Sequence, residues 1–558
     1  MFWVLVFLLT ACAPIPTLAP APAATSIPAL LPTPIPTGTT RPTTELEVMY
    51  TPTPQPLVDS PAWAQDAVLY EVFVRSFYDS DGDGIGDIAG LTANLDYLEQ
   101  LGAGAIWLMP IHPSPSYHGY DVVDYFAVNP DYGTQGDMIA LVDAAHERGI
   151  RVIMDFVVNH VSKEHPFFQD ALGNPGSKYS DWFLWTNEDH TSYEAFGGFE
   201  HMPKLNHGNP DVVAYVVQIA RFWMDLDGDG DYTDGVDGFR ADVAKEVPLT
   251  TWQALRREGR KLNPDLFLLG EAWDGNAQHL VKWYDDAFDA LFDFPLYHTL
   301  AGDQDQSEDS VLAGEKEPDF LNAIIIGEDK LFPSGYQVVR FVNNHDTNRV
   351  MSDVGEEWAR AHTAATLNLT LPGMPMIYYG EAFGMRGEKG RGTPYWDEYR
   401  REPMDWYAAE EGEGMTTWFK PPDRYNAPHD QISVEEQASL SGTLLGHYRA
   451  LTRVRNDHPA LQTGAFGRVQ VSEANGVYAF TRHAPSTADT PEEWFLIVVN
   501  FSGETQSPAL ELELAIGGPF MAVDVLSGEA WPDVPDDTPY RIDLAPASGV
   551  VLQLSLRD

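Results

Sequence analysis

Gly238-Phe239-Arg240-Ala241-Asp242 reads as a short buried strand that ends in a carboxylate, with a guanidinium two residues before it. Residues two apart in a strand face the same side, so Arg240 and Asp242 share a surface and the cation can keep the acid ionised. Charges in an apolar strand are costly unless they are paired or used. Three more runs follow the same plan: Asp155-Phe156-Val157-Val158-Asn159-His160, Leu268-Leu269-Gly270-Glu271-Ala272-Trp273 and Phe341-Val342-Asn343-Asn344-His345-Asp346. Working outward, candidate strands fall at Val68–Val74, Ala105–Met109, Val152–Val157, Gly238–Val243, Phe267–Glu271, Ala290–Phe294, Val338–Asn343 and Met376–Tyr379. Helical patterns lie between most of them, at Leu91–Leu101, Asp137–Arg148, Val212–Asp225, Thr251–Leu262 and Trp358–Leu369. This alternation predicts an α/β fold, a (β/α)8 TIM barrel with its helices outside. A doubly wound open sheet shares the alternation but is disfavoured, because no Gly-rich phosphate loop follows the first strand.

In a parallel barrel, function sits at the C-terminal ends of the strands. The four polar clusters fall at the ends of the third, fourth, fifth and seventh strands, so acids from separate strands converge on one mouth. One acid at a strand end is ordinarily a helix cap or an ion-pair partner; four clusters on one rim are not explained that way. Two carboxyl groups flanking a bond are what glycoside hydrolysis needs, one as nucleophile or base and one as a general acid of raised pKa.

These four runs resemble the signature regions of the α-amylase superfamily, glycoside hydrolase family 13, in the family's order. The likeness spans roughly residues 63–460, with the β-sandwich that usually follows. Ser116-Tyr117-His118-Gly119-Tyr120-Asp121 is similar to the family's substrate-stacking stretch, and Gly373-Met374-Pro375-Met376-Ile377-Tyr378-Tyr379-Gly380-Glu381 to its eighth-strand signature, although Ala382 stands where a second acid is common. The resemblance implies Asp242 as nucleophile, Glu271 as general acid/base and Asp346 as the third acid that holds sugar hydroxyls. It implies His160 and His345 as sugar ligands, Arg240 as the group that orients Asp242, and Tyr120 as a stacking ring.

Met202-Pro203-Lys204-Leu205-Asn206 is similar to a neopullulanase-type motif, which makes Lys204 a substrate-binding candidate, and Glu246 also resembles that group. The Phe341–Asp346 run looks closer to extracellular bacterial α-amylases. The mixture implies a retaining hydrolase of α-1,4-glucosidic bonds in starch-like glucans and maltooligosaccharides, and leaves α-1,6 action open. The alternatives are a 4-α-glucanotransferase or a neopullulanase/cyclomaltodextrinase-type enzyme and, from another class, a non-catalytic glucan-binding surface protein. The last predicts a broken acid set, and the set is complete.

Composition narrows the partners. With 34 Lys and Arg against 83 Asp and Glu, the net charge of −49 argues against nucleic acid or an anionic membrane surface as partner. A neutral glucan, bound cations and a monomeric state are the expectation. The single cysteine, Cys12, excludes an intrachain disulfide and a Cys-based metal site. The apolar run 2–9 has the length of a signal-peptide core and leads into Leu9-Thr10-Ala11-Cys12, which resembles a bacterial lipoprotein signal with Cys12 as the acylated residue. The usual basic segment is missing, which places the true start upstream. Residues 1–12 are thus read as a lipoprotein signal and 13–60, rich in Pro, Thr and Ala, as a disordered tether. The membrane is met only through the lipid anchor, and the location is extracellular, at the cell surface. The barrel is assigned to 61–160 and 210–461, an inserted subdomain to 161–209, and an antiparallel C-terminal β-sandwich to 462–558, where the hydrophobic period changes to two.

Asp79-Ser80-Asp81-Gly82-Asp83-Gly84-Ile85-Gly86-Asp87 spaces oxygens like the first part of an EF-hand loop: carboxylates from Asp79, Asp81, Asp83 and Asp87, and the Ile85 carbonyl between them. Gly90 stands where the bidentate Glu of a sensor loop would be. The loop also resembles a calcium loop of some α-amylase relatives, so Ca2+ is the expected cofactor, bound for stability and not for chemistry. The run from Asp225 to Asp234 is similar in composition, with an ambiguous register.

Overall fold

The computed structural model describes residues 59–302, 309–390, 395–488, 490–512, 519–535 and 539–557; the calls on Cys12 and on the tether up to residue 58 lie outside these residues. Eight parallel strands close a barrel in chain order: β1 Leu69–Val72, β2 Ala105–Leu108, β3 Arg151–Phe156, β4 Gly238–Ala241, β5 Phe267–Gly270, β6 Ala290–Phe292, β7 Gln337–Arg340 and β8 Met374–Tyr378. β8 pairs back onto β1, with Met376 opposite Leu69, so no edge is left.

The period of two sorts each strand into an outer face, which packs on the helices, and an inner face. Leu69, Ala105, Ile153, Phe267, Leu269, Ala290, Val339 and Met374 form an apolar core inside the barrel. One pleat further toward the C-terminal end the inner positions become Glu71, Trp107, Asp155, Arg240 and Glu271, all buried. The strands therefore carry an apolar plug below and a charged floor above it.

The helix expected over Leu91–Leu101 is two helices, Ile88–Ala93 and Leu95–Leu101. Asn94 breaks it: its backbone leaves the helical region (φ −111°, ψ 16°) and its amide donates to the Gly90 carbonyl at 2.9 Å. The helix Gln135–Glu147 starts in a capping box between Thr134 and Asp137.

Between β3 and β4 the chain forms a short helix, Pro166–Ala171, and isolated antiparallel bridges, among them Phe183 with Leu205, Trp185 with Tyr193 and His160 with Lys204. Rings take the place of a ladder here: Phe168 meets Phe183, Trp185 and Tyr193 at 4.8–5.6 Å.

After the helix Leu444–Asp457 come β9 Ala465–Arg468, β10 Gln470–Ser472, β11 Val477–Ala484, β12 Glu493–Asn500, β13 Ala509–Glu511, β14 Phe520–Asp524, β15 Ala530–Val534, β16 Tyr540–Arg541 and β17 Ser548–Leu556. They make two antiparallel sheets, β10-β13-β16 and β15-β14-β17-β12-β11-β9. Arg482 on β11 donates to the Thr370 carbonyl at 2.7 Å, at the end of the barrel helix Trp358–Thr370, and so ties the sheets to the barrel. Among the described residues no helix is long and apolar enough to cross a membrane.

Candidate active site

Arg240 lies at the centre of the charged floor. Its Nη1 donates to Asp242 Oδ1 at 2.8 Å and to Asp155 Oδ1 at 3.1 Å, and its Nη2 reaches Glu271 Oε1 at 2.8 Å. Its guanidinium carbon sits 4.9 Å over the Trp107 ring. One cation thus serves carboxylates from β3, from the end of β4 and from the end of β5.

The backbone after Asp242 completes the pair. Val243 takes a left-handed conformation (φ 38°, ψ 48°), strained for a β-branched residue. The turn aims its N–H at Glu271 Oε2, 2.8 Å away, while the N–H of Ala244 donates to the Glu271 carbonyl.

Asp346 is held from two sides, by Arg401 Nη2 on Oδ1 at 2.9 Å and by His345 Nε2 near Oδ2 at 3.1 Å. His345 Nδ1 lies 2.5 Å from Glu71 Oε1. Tyr120 ties this half to the other: its hydroxyl is 2.7 Å from His345 Nε2 and donates to Asp155 Oδ2 at 3.2 Å, and its ring stacks on the imidazole at 5.6 Å. His160 contacts the Tyr120 carbonyl through Nε2 at 3.0 Å and lies flat on Phe196, 4.9 Å between centroids.

The charge states follow from this network. Burial disfavours a charged His345, but the carboxylates of Asp346 and Glu71 outweigh it and raise the imidazole to about 10. Burial also works against an ionised Asp346, yet His345 and Arg401 hold it well below the usual carboxylate range. Burial lowers His160 to about 4, outweighing the Tyr120 carbonyl and Asp121 that favour its charged form.

Asp242 departs from the sequence expectation of an acid kept ionised by Arg240. Burial raises both Asp242 and Glu271, Asp242 well above the usual range, and Arg240 opposes the shift without cancelling it. The reason is sharing: a guanidinium that also serves Asp155 and Glu271 cannot keep Asp242 ionised by itself. The acids sit where one proton can be kept among them, which is the condition for acid and base to act in turn.

Lys204 does not reach the carboxylate cluster. Its Nζ pairs with Glu246 Oε2 at 3.0 Å, closing the inserted segment onto the loop after β4. In the acidic loop, oxygens of Asp79, Asp81 and Asp87 lie within 4.8 Å of one another. Asp83 is not among them; its Oδ1 accepts the Ile85 N–H at 2.8 Å. Asp79 accepts from Gly82 and Gly84, and Asp87 from Ser80 and Gly90. The acids therefore order the loop as well as offering a cation oxygen ligands, and the hard, anionic donor set suits Ca2+. Asp225, Asp227 and Asp229 form a second, more exposed group.

The α-amylase catalytic-domain family matches residues 71–464, most of the chain and all of the site just described. The chain belongs to the α-amylase family. It is 36% identical over 438 residues to alpha-amylase 3 of Dictyoglomus thermophilum, which covers 74% of this chain and 81% of that protein. It is 30% identical over 574 residues to a trehalose synthase/amylase of Mycobacterium tuberculosis, covering 87% and 89%. Among solved structures, the α-amylase from H. orenii superposes with a TM-score of 0.73 at 34% identity, over 88% of this chain and 100% of that one. The protein is an α-amylase-type hydrolase of glycoside hydrolase family 13.

Two site residues went unread in the sequence. Glu71 is a charge inside the apolar first strand, the signal that marked Asp155 and Asp242, and it could have been found in the same way. Arg401 lies in an unpatterned segment after β8 and gives no sequence signal. Glu71 works with Asp346 to keep His345 charged, which yields a test. Glu71→Gln removes a carboxylate 2.5 Å from the imidazole, so His345 should deprotonate at a lower pH. The His345 imidazole, followed by NMR, should then titrate at a lower pH than in the wild type. An unmoved His345 titration would show that Glu71 only fills space.

Proposed function

We propose that the chain is a retaining hydrolase that cleaves α-1,4-glucosidic bonds of starch-like glucans and maltooligosaccharides. The observation that carries this reading is the pair Asp242 and Glu271 on sister nitrogens of one guanidinium, with Asp346 tied to the same network through His345 and Tyr120. Asp242 attacks the anomeric carbon while Glu271 protonates the leaving glycosidic oxygen. A covalent glycosyl-enzyme forms, and Glu271, now a carboxylate, takes a proton from the water that releases it. Asp346, ionised and fixed by Arg401 and His345, accepts hydrogen bonds from sugar hydroxyls as the oxocarbenium-like transition state develops. His160 and His345 bind the same ring, and Tyr120 stacks on it.

Incubation with soluble starch, sizing of the products and NMR of the first-formed anomer test the reading. Short maltooligosaccharides released as α-anomers are the expected result. β-Anomers overturn the retaining assignment. Products longer than the substrate favour a 4-α-glucanotransferase, which shares the glycosyl-enzyme and differs only in the acceptor. Cleavage of pullulan or cyclodextrins in preference to starch favours the neopullulanase/cyclomaltodextrinase type, a choice that the relative named neopullulanase 2 keeps in view.

The reading includes Ca2+ at Asp79, Asp81 and Asp87, with the Ile85 carbonyl alongside. A ligand of the native state stabilises it by mass action, so chelation should lower Tm by several degrees and Ca2+ restore it. The combined change Asp81→Ala and Asp83→Ala should abolish that response while leaving the kcat of the folded enzyme unchanged. If calcium content and Tm both stay as in the wild type, the loop is only a turn. The reading also places the enzyme at the cell surface, anchored by acylation of Cys12. In a lipoprotein-processing bacterium the wild type should partition into detergent and Cys12→Ser into the aqueous phase. A wild type that stays aqueous contradicts the anchor.

A further inference from the structure

One buried acid that the mechanism does not use follows directly on β8. Glu381 is 1% exposed. Gly380 turns the chain in a left-handed conformation (φ 81°), which folds Glu381 back against the strand it has just left. Burial raises its carboxyl to about 7, against the hydrogen bonds of Tyr448, Tyr378 and Asn343.

Three groups meet this carboxyl, and each one donates. The Tyr448 hydroxyl, on the helix Leu444–Asp457, donates to Oε1 at 2.7 Å. The N–H of Tyr378 donates to Oε2 at 3.2 Å, and the side-chain amide of Asn343 donates to the same oxygen at 2.5 Å. Losing the acceptor would leave these buried donors unmade.

Asn343 connects the carboxyl to the chemistry. It stands near the start of the loop between β7 and the short helix Val350–Asp353, and that loop carries His345 and Asp346. Its Oδ1 accepts the N–H of Val350 at 2.7 Å, so one side chain closes the loop across its two ends. The next residue repeats the device: Asn344 Oδ1 accepts the N–H of Asp346 at 2.9 Å. The Asn343 amide is fully buried, with a donor facing its oxygen and an acceptor facing its nitrogen, and that acceptor is Glu381. This arrangement leaves the amide one orientation.

We propose that Glu381 is a positioning residue for Asp346: it orients the Asn343 amide, which closes the loop and fixes where the third acid meets the sugar. The inference rests on the role given to Asp346 above. Arg401 and His345 hold the carboxylate of Asp346, and Glu381 holds the backbone that carries it. The contribution is geometric. A glutamine fits the same three donors: its oxygen serves Asn343 and Tyr378, and its nitrogen meets the Tyr448 hydroxyl, which accepts as well as donates. A leucine of similar size offers no acceptor.

The test is steady-state kinetics of the full chain on soluble starch and on α-glucosyl fluoride, beside thermal melts. A misplacement of about 1 Å in a reacting site costs about 100-fold, so Glu381→Leu should lower kcat on both substrates by about that factor, with KM changed far less. Glu381→Gln should recover most of the loss. Asn343→Leu should match Glu381→Leu, and the double variant should lose no more than either alone, since both break one link. A folded Glu381→Leu enzyme with wild-type kcat overturns the proposal, and so does a loss confined to starch, which points to protonation by Glu271 instead. Glu381→Gln as slow as Glu381→Leu, or losses that multiply in the double variant, also overturn it. Should the leucine variants fail to fold, Tyr448→Phe decides, because it removes one hydroxyl and keeps the ring. A kcat reduced at unchanged KM upholds the proposal, and an unchanged kcat overturns it. The role of Asp346 is judged separately: Asp346→Asn, with Glu381 intact, must lower kcat on both substrates, and if it does not, that role fails whatever Glu381 does.

Discussion

Asp242→Asn is expected to lower turnover on starch by roughly 10^4-fold or more and to leave the fold as stable as before, or more so. The loss follows from the chemistry: an amide cannot form the glycosyl ester, and without that intermediate the two easier steps collapse into one hard one. The stability follows from the floor of the barrel. Arg240 serves Asp155, Asp242 and Glu271 at once, and the three carboxylates repel one another in a buried space. Asn keeps an acceptor oxygen for Nη1 and removes one of the repelling charges, so function and stability oppose each other here. Glu271→Gln should also remove nearly all turnover on starch, yet form glycosyl-enzyme from α-glucosyl fluoride, whose leaving group needs no proton. Steady-state rates on both substrates, beside thermal melts, check the set. A variant Asp242→Asn that keeps a tenth of wild-type activity would remove Asp242 from the role of nucleophile.

The barrel was legible because its signal is local. Each buried strand is a short apolar run bounded by turns, and the period of two places Arg240 and Asp242, or Ile153 and Asp155, on one face without further knowledge. The acids were legible for the related reason that a charge in such a run has no inexpensive explanation. What escaped notice depends on contacts between distant segments. Arg401 reaches Asp346 across 55 residues, and nothing near it in sequence announces that. The strain at Val243 is likewise invisible, since a valine after an aspartate reads as one more strand residue. The helix over Leu91–Leu101 was misread because an apolar period passes unbroken through Asn94, while the side chain of that residue satisfies a carbonyl and ends the first helix. Lys204 was read for its resemblance alone. Its ion pair with Glu246 joins two positions that the same resemblance had marked separately.

Arg240→Leu is expected to be the most destabilising single change at the mouth, about 3–5 kcal/mol, the range for removing one partner of a buried ion pair. The upper end applies, because the lost guanidinium leaves Asp155, Asp242 and Glu271 without their common cation. Arg240→Lys should recover only part of this, since a point charge on a flexible stem cannot bond carboxylates on two sides. The damage should depend on pH with a definite sign. Burial already raises Asp242 and Glu271 in the wild type, and removing Arg240 takes away the main opposing influence. The folded variant then binds more protons than the unfolded chain, so its stability falls as pH rises from the unfolded carboxylate range, near 4, through the raised folded values. Urea melts at pH 5 and pH 8 should therefore show a larger gap between Arg240→Leu and the wild type at pH 8. Adding Asp155→Asn should narrow it, because one of the three stranded charges is gone. An equal gap at both pH values, unaffected by Asp155→Asn, would mean that Arg240 acts through its packing on Trp107 and not as the shared counter-charge of the floor.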